Sequence, residues 1–165
     1  ENLHELLAQS SVFQGNVMVN TVATLDAFLV MGNKLTIVNG YVDIVIQADM
    51  NPEKVKELLD FIKTTTGNFT FTNNTSTEYA IGLRSTANLT ITVSQQSHIS
   101  MPSLESAVDI QIRYGKDNAL QKVDFSKLSS VTSIDIDTID TNIERKGVFK
   151  IIPNRKRYDE HKKHM

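Results

Sequence analysis

The side chains of this chain that could do chemistry are few and spread out. Asp43, Asp109, Asp135 and Asp137 each alternate with apolar residues. Two such carboxylates could serve as general acid and base on a glycosidic bond if they stood about 5 to 9 Å apart with their pKa values pushed apart. No Lys, Arg or His recurs beside them, and polar residues alternating with apolar ones are what the wet face of any half-buried strand shows. The expectation is therefore no catalytic residue. Cysteine is absent, which removes thiolate zinc sites, Cys nucleophiles and disulfides together. His161 and His164 stand three apart in a lysine-rich tail with no third ligand placed, so neither a metal nor a cofactor is expected. His98 lies in a Ser/Gln-rich stretch and reads as a surface residue with no acidic partner nearby. The sequence holds no phosphate-binding glycine loop, nucleophile elbow or His-Glu-x-x-His pair.

Residues suited to binding are more numerous. Thr36, Thr70, Thr90, Asp109 and Asp135 each follow or precede an apolar residue at period two, which places them on the outward face of strands and makes them the candidate binding residues. Thr70-Phe71-Thr72 and Thr90-Ile91-Thr92 are Thr-x-Thr units of the kind found on ice-binding faces, although β-propensity and cross-strand threonine pairing account for them as well. Tyr41, Tyr79 and Tyr114 flank strand segments and offer rings that could stack on sugars. Asn68, Asn73, Asn74 and Asn88 each open an Asn-x-Ser/Thr acceptor sequence.

The elements that hold these residues follow from internal repetition. An apolar residue, five others and then apolar-x-apolar recurs at Leu29/Leu35/Ile37, Leu83/Leu89/Ile91, Leu104/Ile110/Ile112 and Leu128/Ile134/Ile136. A small residue followed by Asn leads into the pairs Gly15-Asn16, Gly32-Asn33, Gly67-Asn68 and Ala87-Asn88, where Gly or Asn suits a turn. Strands are expected to begin at Val17, Leu35, Phe69, Leu89, Ile110 and Ile134, with a further strand over 42–46. Steps near twenty residues are too short for a strand, a helix and two loops, but fit one coil of a repeat whose interior is a ladder of aliphatic side chains. One helix is expected near 51–63: Asn51 caps it, Pro52 suits the first turn, Glu53 complements the dipole, and Val55, Leu58, Leu59 and Ile62 form one stripe. Val148 to Ile152 reads as a last strand closed by Pro153. A β-sandwich is the competing fold, and Asn39-Gly40 is the one clear two-residue hairpin signal for it.

With 165 residues, 40% hydrophobic and 22% charged, the chain is the size and composition of one globular domain. The division expected is an N-terminal cap or linker over 1–14, with Leu3, Leu6 and Leu7 as its apolar side, a domain over 15–152 and a basic tail over 153–165. Seventeen Lys and Arg against nineteen Asp and Glu leave a net charge of −2, which supplies no field for nucleic acid. The tail, with Arg155, Lys156, Arg157, Lys162 and Lys163, reads as a solvated linker. The longest apolar run, Ala27 to Met31, is far short of a membrane span. The start at Glu1 suggests a piece of a longer parent chain with further domains, any export signal lying upstream.

At Leu89-Thr90-Ile91, at Met101-Pro102-Ser103-Leu104-Glu105-Ser106-Ala107-Val108-Asp109-Ile110 and at Phe125-Ser126-Lys127-Leu128-Ser129-Ser130-Val131-Thr132-Ser133-Ile134-Asp135-Ile136, the sequence resembles receptor L-domain-like solenoids, distant relatives of leucine-rich repeats. The resemblance covers roughly residues 15 to 152 and is nearest to cysteine-free versions in exported and surface proteins of Gram-negative gut-type bacteria. Asn39 and Asn73 fall two residues beyond Ile37 and Phe71, where ordinary leucine-rich repeats place Asn three beyond. The resemblance implies a right-handed parallel β-solenoid of about six coils and no catalytic residues. It also implies a cell-surface, exported or periplasmic module for adhesion, with an extracellular glycan or protein as ligand. A carbohydrate-active β-helix enzyme and a structural spacer or ice-binding solenoid are the alternatives.

Overall fold

The computed structural model describes residues 12–115, 120–138 and 150–153. Leu3, Leu6 and Leu7, the pair His161 and His164, and the basic tail beyond Pro153 lie outside the described residues. What is described is mainly β, with parallel sheets and two α-helices.

The largest sheet has six strands: β2 (Val17–Val19), β4 (Val42–Ile46), β6 (Phe69–Asn73), β7 (Leu89–Val93), β9 (Asp109–Tyr114) and β11 (Ser133–Thr138). They lie side by side in chain order, every pair parallel. A second sheet joins β1 (Val12–Gln14), β3 (Ile37–Asn39) and β5 (Thr64–Thr65). Single parallel bridges extend it through Ser85, Ser106 and Ser130. The third sheet is β8 (His98–Ser100), β10 (Lys122–Phe125) and β12 (Lys150–Pro153). Parallel neighbours cannot be joined by the tight hairpins that a sandwich would use. Asn39-Gly40 makes no hairpin, because β3 and β4 pair with strands of different sheets.

Alternation in sequence becomes two faces in space. On the inward face of the large sheet, Val17, Val42, Phe69, Leu89, Ile110 and Ile134 form one registered row, and Val19, Ile44, Phe71, Ile91, Ile112 and Ile136 the next; all are buried. A parallel column, Leu35, Ile62, Leu83, Leu104 and Leu128, is equally buried. The carbonyls that follow it hold successive tiers together. Thr36 O accepts from Lys63 N (2.9 Å) and Thr64 N (3.1 Å), Lys63 O from Arg84 N (2.7 Å) and Ser85 N (3.2 Å), Arg84 O from Glu105 N (2.7 Å) and Ser106 N (3.3 Å), and Glu105 O from Ser129 N (3.0 Å) and Ser130 N (3.2 Å).

That column corrects the phase of the repeat. Five residues separate Leu83 from Leu89, Leu104 from Ile110 and Leu128 from Ile134, as expected, but six separate Leu35 from Val42 and Ile62 from Phe69. The added residue stands just before the corner, Asn39 in one tier and Thr66 in the next, and the corner itself is a glycine. A Cβ on Gly40 would collide with Gly15 O and lie 2.6 Å from Asn16 Oδ1, and one on Gly67 would lie 2.9 Å from Gly40 O. A fixed spacing skips these longer tiers, so the match Leu29/Leu35/Ile37 is out of register. Leu35 sits in a 3-10 turn (Gly32–Leu35), not at the start of a large-sheet strand, and Gly32-Asn33 begins that turn. The strand starts are Val17, Val42, Phe69, Leu89, Ile110 and Ile134, stepping by 25, 27, 20, 21 and 24 residues.

Among the described residues two α-helices are present where one was expected. The second in chain order, α2 (Pro52–Phe61), matches its signals: Asn51 Oδ1 accepts Glu53 N at 2.9 Å, and Val55, Leu58, Leu59 and Ile62 are buried. The first, α1 (Val22–Leu29), begins in a capping box in which Thr21 Oγ1 accepts Thr24 N (3.1 Å) and Thr24 Oγ1 accepts Thr21 N (3.0 Å). It buries Leu25, and Phe28 meets Phe13 edge to face at 6.0 Å. Val12–Gln14, placed by sequence in the N-terminal segment, already pairs in the second sheet. At the far end the third sheet closes on β12, which contains Pro153 instead of stopping before it.

Candidate binding face

The outward side of the large sheet carries two registered rows of half-buried and exposed side chains. Met18, Asp43, Thr70, Thr90, Gln111 and Asp135 form the first. Val45, Thr72, Thr92, Arg113 and Asp137 form the second. Beside them the residues that precede each strand stack as a corner column of Asn16, Tyr41, Asn68, Asn88, Asp109 and Ser133. The composition changes along the stack: Met18 and Tyr41 at one end, a square of threonines in the middle, and Arg113 with three aspartates at the other.

Of the five residues singled out by sequence, Thr70, Thr90 and Asp135 share the first row. Asp109 belongs to the corner column, where its Oδ1 accepts the Ser133 hydroxyl at 2.6 Å. Thr36 is elsewhere: it follows the 3-10 turn, gives its hydroxyl to Asn33 O at 2.7 Å, and belongs to the carbonyl column with Lys63 and Arg84. The shifted repeat phase is the reason it was grouped with the strand threonines. Met18, Gln111 and Arg113 were missed, although each fills the middle position of an apolar-x-apolar unit and was legible there.

An ion pair crosses the face between adjacent strands. Arg113 Nη2 lies 2.8 Å from Asp135 Oδ2 and Nη1 reaches Asp135 O at 3.4 Å, so cation and carboxylate on adjacent strands hold each other. Such a partly exposed pair contributes at most about 1 kcal/mol. Among the described residues there is no cluster of three or more His, Cys, Asp or Glu side chains that could hold a metal.

The three tyrosines separate sharply. Tyr79 is 3% exposed and Tyr114 1%, so neither offers a ring to a ligand, while Tyr41 is 39% exposed. Burial pushes the Tyr79 hydroxyl above the ordinary tyrosine range, opposed by its bond to the Thr77 side chain and assisted by the Glu53 carboxylate. Asn73 is likewise unavailable as an acceptor for a glycan. It points inward with no exposure, donates to Thr77 O and Gln96 Oε1, both at 2.8 Å, and accepts from Thr75 N and Thr75 Oγ1. His98 has the acidic neighbour that its sequence surroundings lack: Glu78 accepts His98 N and Ser97 N at 2.9 Å each and stands 3.8 Å from the imidazole.

A groove of about 490 Å³ lies against α2, lined by Lys56, Asp60, Lys63, Glu78, Gly82 and Ser103 among others. Lys63 is engaged with Asp60 at 3.4 Å and Lys56 with Glu53 at 3.6 Å, so its cations are already partnered. No described helix is long and apolar enough to cross a membrane. Comparisons with family models, curated proteins and solved structures return no match.

Proposed function

We propose that this chain is a non-catalytic repeat module of an exported or surface-attached bacterial protein, and that it binds an extracellular glycan or protein across the outward face of its large sheet. Its fold on this reading is a right-handed parallel β-solenoid of the receptor L-domain kind. The order in which the chain visits the sheets supports it: second sheet, large sheet and then a helix in the first two tiers, with a strand of the third sheet replacing the helix in the last three. A crossover between parallel neighbours in one sheet is right-handed in nearly all proteins.

The observation that carries the binding role is the registered outward face. One outward row runs through six tiers and the other through five, mostly polar side chains with Tyr41 and Met18 at one end, on strands whose other side is locked in the core. Rigid strands position such groups better than loops do. The ice-binding alternative has less support, because the in-register threonines stop after two tiers at Asp43 on one side and Gln111 and Arg113 on the other.

The test is an array of glycans and extracellular-matrix proteins probed with the whole chain and with the double variant Thr70→Lys, Thr90→Lys. Binding that the two lysines abolish while the melting temperature is kept supports the face. Silence of the unaltered chain overturns the binding role in favour of a spacer.

A further inference from the structure

Tyr41 departs from a pattern that Asn16, Asn68 and Asp109 follow in its corner column. Asn16 Oδ1 accepts Tyr41 N at 3.0 Å, Asn68 Oδ1 accepts Asn88 N at 3.2 Å, and Asp109 Oδ1 accepts the Ser133 hydroxyl. These three short polar side chains thus tie their tiers to the next, and Asn88 is the polar residue of the column that does not. A phenol cannot make that local bond to the following backbone. Tyr41 instead gives its hydroxyl to Met18 Sδ, 3.2 Å away in the preceding tier, which fixes the ring over Met18. Every other Tyr or Phe among the described residues is buried or half-buried. An aromatic ring held open where an asparagine would continue the column breaks a local rule with only a weak bond to the Met18 sulfur in return, and such breaks concentrate at functional positions.

The surroundings of the ring select a ligand chemistry. Met18 pairs with Asp43 and Asp43 with Thr70. At about 4.8 Å per strand these three tiers span roughly 10 Å, room for one or two sugar rings. An aromatic face packs on the C–H side of a pyranose, a carboxylate accepts from its hydroxyls, and a threonine hydroxyl either donates or accepts. No Lys or Arg occurs in 16–19, 41–46 or 68–73, so a sulfated, phosphorylated or carboxylated sugar would meet Asp43 with no counter-charge. A protein partner would want a broader apolar centre than Tyr41 and Met18 provide among Asn, Asp and Thr.

We propose that Tyr41, Met18, Asp43 and Thr70 form a subsite for a neutral pyranose glycan, with Tyr41 as its stacking platform. The inference rests on the reading of the sheet face as a binding surface and gives that surface its ligand class. It is tested with the whole chain and with Tyr41→Asn and Tyr41→Phe, each measured for melting temperature and for binding to arrayed neutral glycans, acidic glycans and matrix proteins. The unaltered chain is expected to bind neutral glycans. Tyr41→Asn should lose about tenfold or more in affinity with its melting temperature unchanged or raised, because the column is restored. Tyr41→Phe, which keeps the ring, should retain most of the binding. Neutral-glycan binding that Tyr41→Asn leaves intact overturns the subsite but spares the binding face. Binding confined to acidic glycans or to a matrix protein does the same. A large fall in the melting temperature of Tyr41→Asn overturns the argument from the column, and silence on every arm overturns both readings.

Discussion

Asn73 occupies a place that its registered neighbours Ile46, Val93 and Tyr114 give to an aliphatic or aromatic side chain. A buried amide without partners would cost several kcal/mol. Here all its hydrogen-bonding capacity is taken up, and through Gln96, whose amide donates to Tyr79 O and His98 O, it anchors the 74–80 segment where the earlier tiers have a helix. An Asn-Asn-Thr run reads in sequence as a turn, and nothing local distinguishes an inward amide from an exposed one, because its partners lie up to 23 residues away. A carboxylate in a core row has no such partners. Ile110→Asp should abolish the cooperative thermal transition, since Ile110 is flanked in register by Leu89 and Ile134 and an unpaired buried charge costs several kcal/mol, comparable with the stability of a marginal domain. A melt near that of the unaltered chain, followed by circular dichroism, would contradict the assigned face.

At the level of elements, period-two alternation announced the strands and the cap signals announced α2, because both patterns depend on neighbours in sequence. The helix α1 was readable too, from Thr21 ahead of an apolar segment, but its run was absorbed into a repeat match that was out of register within the tier. The longer tiers turn at Gly40 and Gly67, whose need arises only when two corners come together. Gly40→Ala should therefore destabilise the chain by at least about 2 kcal/mol, since the added methyl meets backbone that cannot move aside. Denaturant titration measures it, and a change below about 0.5 kcal/mol would mean that the corners are not stacked as described. By contrast the tandem phrases Met101–Ile110 and Phe125–Ile136 have matching local bonds, Leu104 N to Met101 O at 3.3 Å and Leu128 N to Phe125 O at 3.0 Å, which is why they stood out as a repeat.

For the whole molecule, parallel register makes each tier nearly interchangeable with the next, so stability should divide into tier and interface contributions. Removing residues 106–129 joins Glu105 to Ser130, which bridges Ser106 in register, and shortens the stack by one tier. The shortened chain is expected to fold cooperatively with a lower melting temperature; a chain that fails to fold would show that the tiers are not modular. The outward face proposed for binding followed from strand polarity, whereas the exposure of the Tyr41 ring on it did not, because exposure is a property of the assembled stack. The corner column next to it changes in bulk from one end to the other: Gly15, Gly40 and Gly67 give way to Ala87, Val108 and Thr132, the last four linked tier to tier by backbone bonds from Ala87 N to Gly67 O, Val108 N to Ala87 O and Thr132 N to Val108 O. Val108 is 48% exposed. New loops or labels grafted at Val108 therefore meet open solvent, while Gly40 and Gly67, pressed against the backbone of the preceding corner, leave no room for cargo.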